Sequence, residues 1–302
     1  MIEIKDLRFG YKRCPRLFDG LNLQIPAGRI VGLLGRNGEG KSTLMKLING
    51  LLLPKGGELT VLGRESKQRS LELLQSIYIL GDEVQLPEIS VSDYLSLYSA
   101  FYPTYQEHIA HELLEMFELK HAMQLGQMSF GQRKKAQITL ALALQTPILL
   151  LDEPTNGLDI PSKSIFRRAM AQYCHSQQTI IISTHQVRDL EQIIDYLILM
   201  NENQVVCNEP IARLDDCFVI DTISGTQSGE VLYRETSILG EVGIFPRGKR
   251  GEGHPFSIEL FFNAMISSTE PMMATLEQHH AEHPETEYSH LIDWLKDQEQ
   301  TQ

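Results

Sequence analysis

The chain has 302 residues, of which 42% are hydrophobic and 22% charged, and a net charge of -12. That length holds one large α/β domain with an extension or two modest domains, and the composition is that of a soluble globular protein. The negative charge, concentrated toward the C-terminus, argues against general binding to nucleic acid or anionic lipid. The opening "MIEIKDLRF" carries charges and lacks an apolar targeting core. "EIKDLRFGY" and "LNLQI" predict an antiparallel strand pair. "RIVGLLG" predicts a strand ending on glycine, and "KSTLMKLINGLL" a helix with Gly50 near its end. "GELTVLG" reads as a hairpin strand and "QSIYIL" as another strand. "SVSDYLSLYSAFY" and "YQEHIAHELLEMFEL" are helical patterns separated by Pro103.

Next come a helix in "GQRKKAQITLALALQ" and a buried strand in "PILLLDE", both too short to span a membrane. "PSKSIFRRAMAQYCHS" reads as a helix, "TIIIST" as a strand, "VRDLEQIID" as a helix and "YLILMNENQVV" as a strand and turn. Strands alternating with helices predict a mostly parallel sheet covered on both faces, with ligands at the strands' C-terminal ends. Beyond Leu214 the pattern changes to short strands, a Gly-rich loop "RGKRGEGH", an amphipathic helix "FSIELFFNAMIS" and, from Pro271, a loose acidic tail. His279, His280 and His283 in that tail read as solvated, since no frame of metal ligands surrounds them. Cys14, Cys174, Cys207 and Cys217 form no CxxC pair and read as buried thiols of a reducing compartment.

Three stretches carry chemistry. Gly35 to Ser42, "GRNGEGKS", fits G-x-x-x-x-G-K-[ST] between a strand and a helix. Glycines let backbone N–H groups curl around phosphate oxygens, and the helix start adds unpaired donors and a positive dipole end. In this pattern Lys41 reaches the β- and γ-phosphates and Ser42 offers a hydroxyl to Mg²⁺. Glu39 would repel phosphate, so its side chain is expected to point away. In "ILLLDEP" a buried strand delivers Asp152, suited to Mg²⁺, and Glu153, suited to polarise an attacking water. Neighbouring strand residues point to opposite faces, so the strand end must bend to use both. "MSFGQ" opens a helix with Ser129, Gly131 and Gln132, a second phosphate-binding device 23 residues before Asp152. Two cradles suit two chains placed head to tail, each completing the other's nucleotide site.

With these motifs in order, residues 1 to about 215 resemble the ATP-binding subunits of ABC transporters. "GRNGEGKS" resembles Walker A, "ILLLDE" Walker B, "MSFGQ" the signature, "NGLD" the D-loop and "STHQ" the H-loop with His185. Tyr11 in "RFGY" resembles the aromatic that stacks on adenine. Phe130 stands where glycine is usual, and Asp82, followed by Glu83, stands where a glutamine is usual.

The resemblance implies an α/β P-loop NTPase fold at residues 1–214, with N-terminal antiparallel strands and an inserted helical subdomain at about 88–128. A small α+β extension with an acidic tail follows at 215–302. It implies an ATPase that dimerises, as homodimer or heterodimer, around two ATP and drives transport through permease subunits on separate chains. ATP contacts are expected from Tyr11, Gly35, Asn37, Gly38, Gly40, Lys41, Ser42, Thr43, Ser129, Gly131 and Gln132. Mg²⁺ falls to Ser42 and Asp152, and catalysis to Glu153 and His185. The expected place is the cytoplasmic face of a membrane, and nucleic acid is not an expected partner. The short spacer after Asp82, "AFYP" and "IELFFNAMI" resemble the bacterial ATPases of ABC-2-type systems, which are mostly exporters. The rival is a soluble ABC ATPase with a non-membrane partner.

Overall fold

A computed structural model describes residues 1–82, 86–223, 231–237, 240–248 and 253–283. Its centre is a six-stranded sheet of β3 (Ile30–Leu34), β6 (Ile77–Leu80), β7 (Ile148–Asp152), β8 (Thr179–Ser183), β9 (Tyr196–Asn201) and β10 (Gln204–Pro210). The order is β10-β9-β3-β8-β7-β6, parallel except for β10, which pairs antiparallel with β9. β7 and β8 are buried along their whole length, as the unbroken runs "ILLL" and "TIII" require of strands covered on both faces.

The sheet separates two cores. Ile148 and Leu150 face one and Leu149 and Leu151 the other, following the two-residue period of a strand. The first core holds α1 (Lys41–Ile48) under an antiparallel sheet of β1 (Ile2–Phe9), β2 (Phe18–Ile25), β4 (Gly56–Val61) and β5 (Arg64–Glu65). α2 (Leu71–Ser76) leads into β6. The second core holds α3 (Val91–Ser99), α4 (Glu107–Met116), α5 (Phe130–Ala143) and α6 (Ile160–Tyr173). Both α3 and α5 start on serine caps: Ser90 accepts from the Asp93 N–H at 3.1 Å and Ser129 from the Gln132 N–H at 3.2 Å.

The C-terminal part adds α7 (Ile211–Cys217), an antiparallel sheet of β11 (Phe218–Thr222), β12 (Tyr233–Ser237) and β13 (Gly240–Pro246), then α8 (Ile258–Ser267) and α9 (Thr269–Glu282). Its apolar residues do not form a separate core. Phe218, Ile244, Phe261, Met265 and Met272 join the same buried cluster as α5 and the central sheet. Two polar joints reinforce that packing. Glu209 accepts from Arg213 at 3.2 Å and lies 3.0 Å from His280, while Arg188 pairs with Glu259. Burial pushes the Glu209 carboxyl up, and His280 and Arg213 oppose that shift.

Several sequence readings change. The segment from Pro271 is not a loose tail as far as Glu282: it forms most of α9, which buries Met272 and Leu276. His280 lies there, tied to Glu209; the acidic residues beyond 283, Glu83 and most of "GKRGEG" lie outside the described residues. "VRDLEQIID" is helical only as a 3₁₀ turn at Val187–Asp189. Its bonds run mostly over three residues, Leu190 N–H to Val187 at 2.9 Å and Ile193 N–H to Leu190 at 3.0 Å, with one over four from Ile194 N–H to Leu190 at 3.3 Å. Asp195 then draws the chain toward β9 by accepting from the Ile30 N–H at 2.8 Å and from Arg29. Cys14 is exposed and Cys174 half-buried; only Cys207 and Cys217 are buried, and all four are free. Among the described residues, no helix is long and apolar enough to cross a membrane.

Candidate functional site

The site gathers at the C-terminal ends of β3, β7 and β8. The chain leaves β3 at Leu34 and winds through the glycine-rich loop before Lys41 opens α1. Gly38 and Gly40 hold φ of +92° and +96°, the left-handed region that side chains disfavour. Lys41 is buried, and its ammonium curls over the loop, donating to the carbonyls of Gly35 at 2.7 Å and Arg36 at 3.1 Å. Burial lowers its pKa, while Glu153, Asp152 and Glu39 hold it up, so Lys41 faces the carboxylates of β7. Glu39 points away from the loop's interior and accepts the Asn203 N–H in the β9–β10 turn at 2.6 Å. Ser42 and Thr43 occupy the first turn of α1, and Asn37 is exposed at the loop's crest. Tyr11 reaches this turn, its hydroxyl 3.2 Å from Thr43 Oγ1. Its ring stands edge-on to Phe9, with centroids 5.1 Å apart, and is 43% exposed, so one face is open for stacking.

The two fold-back glycines differ in a testable way. A Cβ on Gly40 would lie 2.6 Å from the Phe18 ring, which is buried, whereas one on Gly38 meets nothing within 4 Å. Both alanine variants meet the left-handed backbone cost, about 1–3 kcal/mol. Gly40→Ala adds a core clash and is expected to lower the thermal midpoint well below that of Gly38→Ala. Equal midpoints in thermal unfolding would contradict this packing.

The other half of the site is set by the end of β7. Asp152 is paired in register with Ser183, whose hydroxyl donates to Asp152 Oδ1. Glu153 then adopts φ +47°, the bend that lets two successive residues serve one site. Its N–H still bonds the Ser183 carbonyl at 3.0 Å, and its Oε1 accepts from the His185 N–H at 3.1 Å and lies 2.8 Å from His185 Nδ1. Asp152 is buried; Glu153 is half-buried; His185 is open to solvent. Ser42 and Asp152 supply only oxygen donors, the chemistry a hard dication such as Mg²⁺ takes.

Ser129, Gly131 and Gln132 stand elsewhere. Ser129 and Gln132 bond each other's backbone N–H groups, at 3.2 Å and 3.0 Å, as a capping box at the start of α5. Phe130 covers Gly157, where any Cβ would fall 2.2 Å from its ring, and the backbone of Gly131 lies against the Gly157 carbonyl. A cleft of about 590 Å³ is lined by Gly35, Asn37, His185 and the α8 residues Glu259, Phe262 and Asn263. None of the three signature residues lines it, nor do Lys41, Ser42, Asp152 or Glu153. Asp159 caps α6, accepting the Ser162 N–H at 2.9 Å.

Two features escaped sequence reasoning. One is the α8 wall of the cleft, for which local sequence holds no signal. The other is Lys134 in "QRKKAQ", which the helix pattern does not single out. It is fully buried, its ammonium donating to the Gly81 carbonyl at 3.2 Å. Beside it Asn156 donates to Asp82 Oδ1 at 3.1 Å.

Comparison with known proteins agrees with this architecture. A family model described as ABC transporter matches residues 18–156. The chain is 32% identical to the ABC transporter ATP-binding protein NatA of Bacillus subtilis over 65% of its own length and 82% of that protein's. It is 34% identical to the cytochrome c biogenesis ATP-binding export protein CcmA of Bradyrhizobium diazoefficiens, over 58% and 87% of the two lengths. Among solved structures, cbiO1 from Clostridium perfringens, part of the transporter complex cbiONQ, superimposes with a TM-score of 0.57 at 26% identity, covering 70% of this chain and 89% of that one. The ADP- and phosphate-bound cassette MJ0796 shares the fold, with a TM-score of 0.62 at 23% identity over 70% and 99% of the two chains. A nucleotide loop, a carboxylate-ended strand and this extent of likeness to NatA and CcmA together place the chain in the ABC transporter ATP-binding family, as an ATP-hydrolysing subunit of a transporter.

Proposed function

We propose that two ATPase subunits close around two ATP molecules and drive export through membrane subunits carried on other chains. Residues 1–214 act as the ATPase domain, and 215–302 as an extension, whose described residues pack on it. Gly35, Asn37, Gly38, Gly40, Lys41, Ser42 and Thr43 cradle the phosphates, and Tyr11 stacks on adenine. Ser42 and Asp152 hold Mg²⁺, which would offset phosphate charge when bound. Glu153 orients and deprotonates the attacking water, and His185, in contact with Glu153, faces the γ-phosphate. Ser129, Gly131 and Gln132 serve the nucleotide of the opposing subunit. The observation that carries this reading is the bend at Glu153, which turns its carboxylate to His185 beside Lys41 and Asp152. The likeness to CcmA, an export protein, supports the direction.

The segment from Asp82 to Tyr105 is the proposed contact with a membrane subunit at the cytoplasmic face. Its apolar and aromatic residues divide into two groups. Tyr94 is buried in the core and Tyr102 packs edge-on against Tyr78, whereas Leu97 and Phe101 are 51% and 62% exposed. Tyr98 is half-buried against Tyr94, with ring centroids 5.0 Å apart, so the exposed pair is the better probe. Phe101→Glu is expected to leave folding and ATP hydrolysis intact while removing co-purification from membranes with a co-encoded permease. Retained co-purification and transport would take this face out of the mechanism. Wild-type protein recovered only from the soluble fraction, with no membrane partner, would favour the soluble ATPase instead.

A further inference from the structure

Resting on the assignment of Asp152 and Glu153 to hydrolysis, we propose that Lys134 is a positioning residue that balances the charge of Asp82, so that a third carboxylate can stand beside the hydrolytic pair. Lys134 lies in the first turns of α5, the helix that Ser129 opens, yet its side chain is completely buried. A buried ammonium is costly unless it is bonded and matched by opposite charge, and a methionine would fill the same volume without that cost. One bond is present, to the Gly81 carbonyl 53 residues away. Asp82, Asp152 and Glu153 oppose the lowering of its pKa by burial, Asp82 most, and Asp82 directly follows the bonded Gly81.

Asp82 is exposed, and among the described residues its carboxylate is steadied by the Asn156 amide, from the loop that follows Glu153. Three elements therefore meet at one turn: α5 through Lys134, β6 through Gly81 and Asp82, and the β7–α6 connection through Asn156. Lys41 is committed to the glycine-rich loop by its bonds to Gly35 and Arg36. Lys134 is a second cation whose charge is felt with those same carboxylates. Without it, Asp82 would add an unbalanced negative charge where a triphosphate and an attacking water must be accommodated. The lysine also anchors the turn, so that motion of α5 is felt at Asp82.

The test is a double-mutant cycle on ATP hydrolysis by the full chain, with thermal unfolding as the control for folding. Lys134→Met removes the charge and keeps the volume, and Asp82→Asn removes the opposing charge and keeps the acceptor for Asn156. Lys134→Met alone is expected to lower kcat/KM about tenfold, within the range of coupling between groups of one network. Asp82→Asn combined with Lys134→Met is expected to return to within about threefold of wild type. A purely packing role predicts no such recovery, and effects that simply multiply would overturn the proposal. If Lys134→Met does not fold, Lys134→Gln, which keeps a donor for Gly81, replaces it and is read the same way. Glu153→Gln, assayed alongside, separates the two failures. If it hydrolyses ATP normally, the hydrolytic assignment falls and this proposal with it. If it is inactive while the cycle is additive, only the Asp82–Lys134 balance is wrong.

Discussion

Glu153→Gln is expected to lower ATP turnover by roughly 10²-fold or more, the range for loss of a general base, while ATP binding is kept. The amide fits the same space, and its oxygen can still accept the His185 N–H that Glu153 Oε1 accepts at 3.1 Å. What it loses is the capacity to take a proton from water. The bend at φ +47° belongs to the backbone, and the bond from the residue 153 N–H to the Ser183 carbonyl does not involve the side chain, so the fold should be unaffected. Blocked hydrolysis should also hold the ATP-bound dimer closed, visible as a larger species in size-exclusion chromatography with ATP. Turnover near the wild-type rate would remove Glu153 from the chemistry.

Ser129→Arg is the second large effect. The capping box at Ser129 lies at the start of α5. If it completes the opposing subunit's site, an arginine there should abolish hydrolysis by blocking closure and leave ATP binding to the single chain nearly intact. The substitution also removes an N-cap, worth about 1 kcal/mol. Ser129→Ala loses the cap without the bulk, and so measures that part alone. Equilibrium binding of a fluorescent ATP analogue to dilute protein decides the matter. Loss of binding by Ser129→Arg, with binding retained in Ser129→Ala, would put Ser129 in its own chain's site and refute the shared arrangement. Mixing Ser129→Arg with Lys41→Ala produces a heterodimer with both defects in one site and neither in the other; recovered hydrolysis there would support sharing.

Much of the site was legible because its chemistry is local. A glycine-rich turn between an apolar strand and an amphipathic helix needs only neighbouring residues to form a phosphate loop, and Gly40 and Lys41 sit as that pattern requires. The Ser129–Gln132 capping box spans three residues and is likewise written in the chain. "ILLLD" and "TIIIS" are apolar without alternation, which suffices to bury both faces of a strand. Tertiary structure decided the rest. The apolar spacing of Val187, Leu190 and Ile194 suits an α-helix, but Asp195 is held by Ile30, 165 residues away, and the segment forms only a 3₁₀ turn at Val187–Asp189 followed by turns. Pro271 falls in the first turn of α9, where proline needs no N–H partner, and the helix forms because Met272 and Leu276 find a core already built by the ATPase fold. Lys134 and Lys135 are adjacent and chemically alike; only the packing of α5 against β6 buries the first, and the Gly81 carbonyl 53 residues away receives its ammonium. Local sequence determines which backbone shapes and ligand types are available, because turns, caps and strand patterns depend on neighbours in the chain. Which charges face each other depends on contacts between segments far apart in sequence, and those exist only once the sheet has brought β6, β7 and β8 side by side.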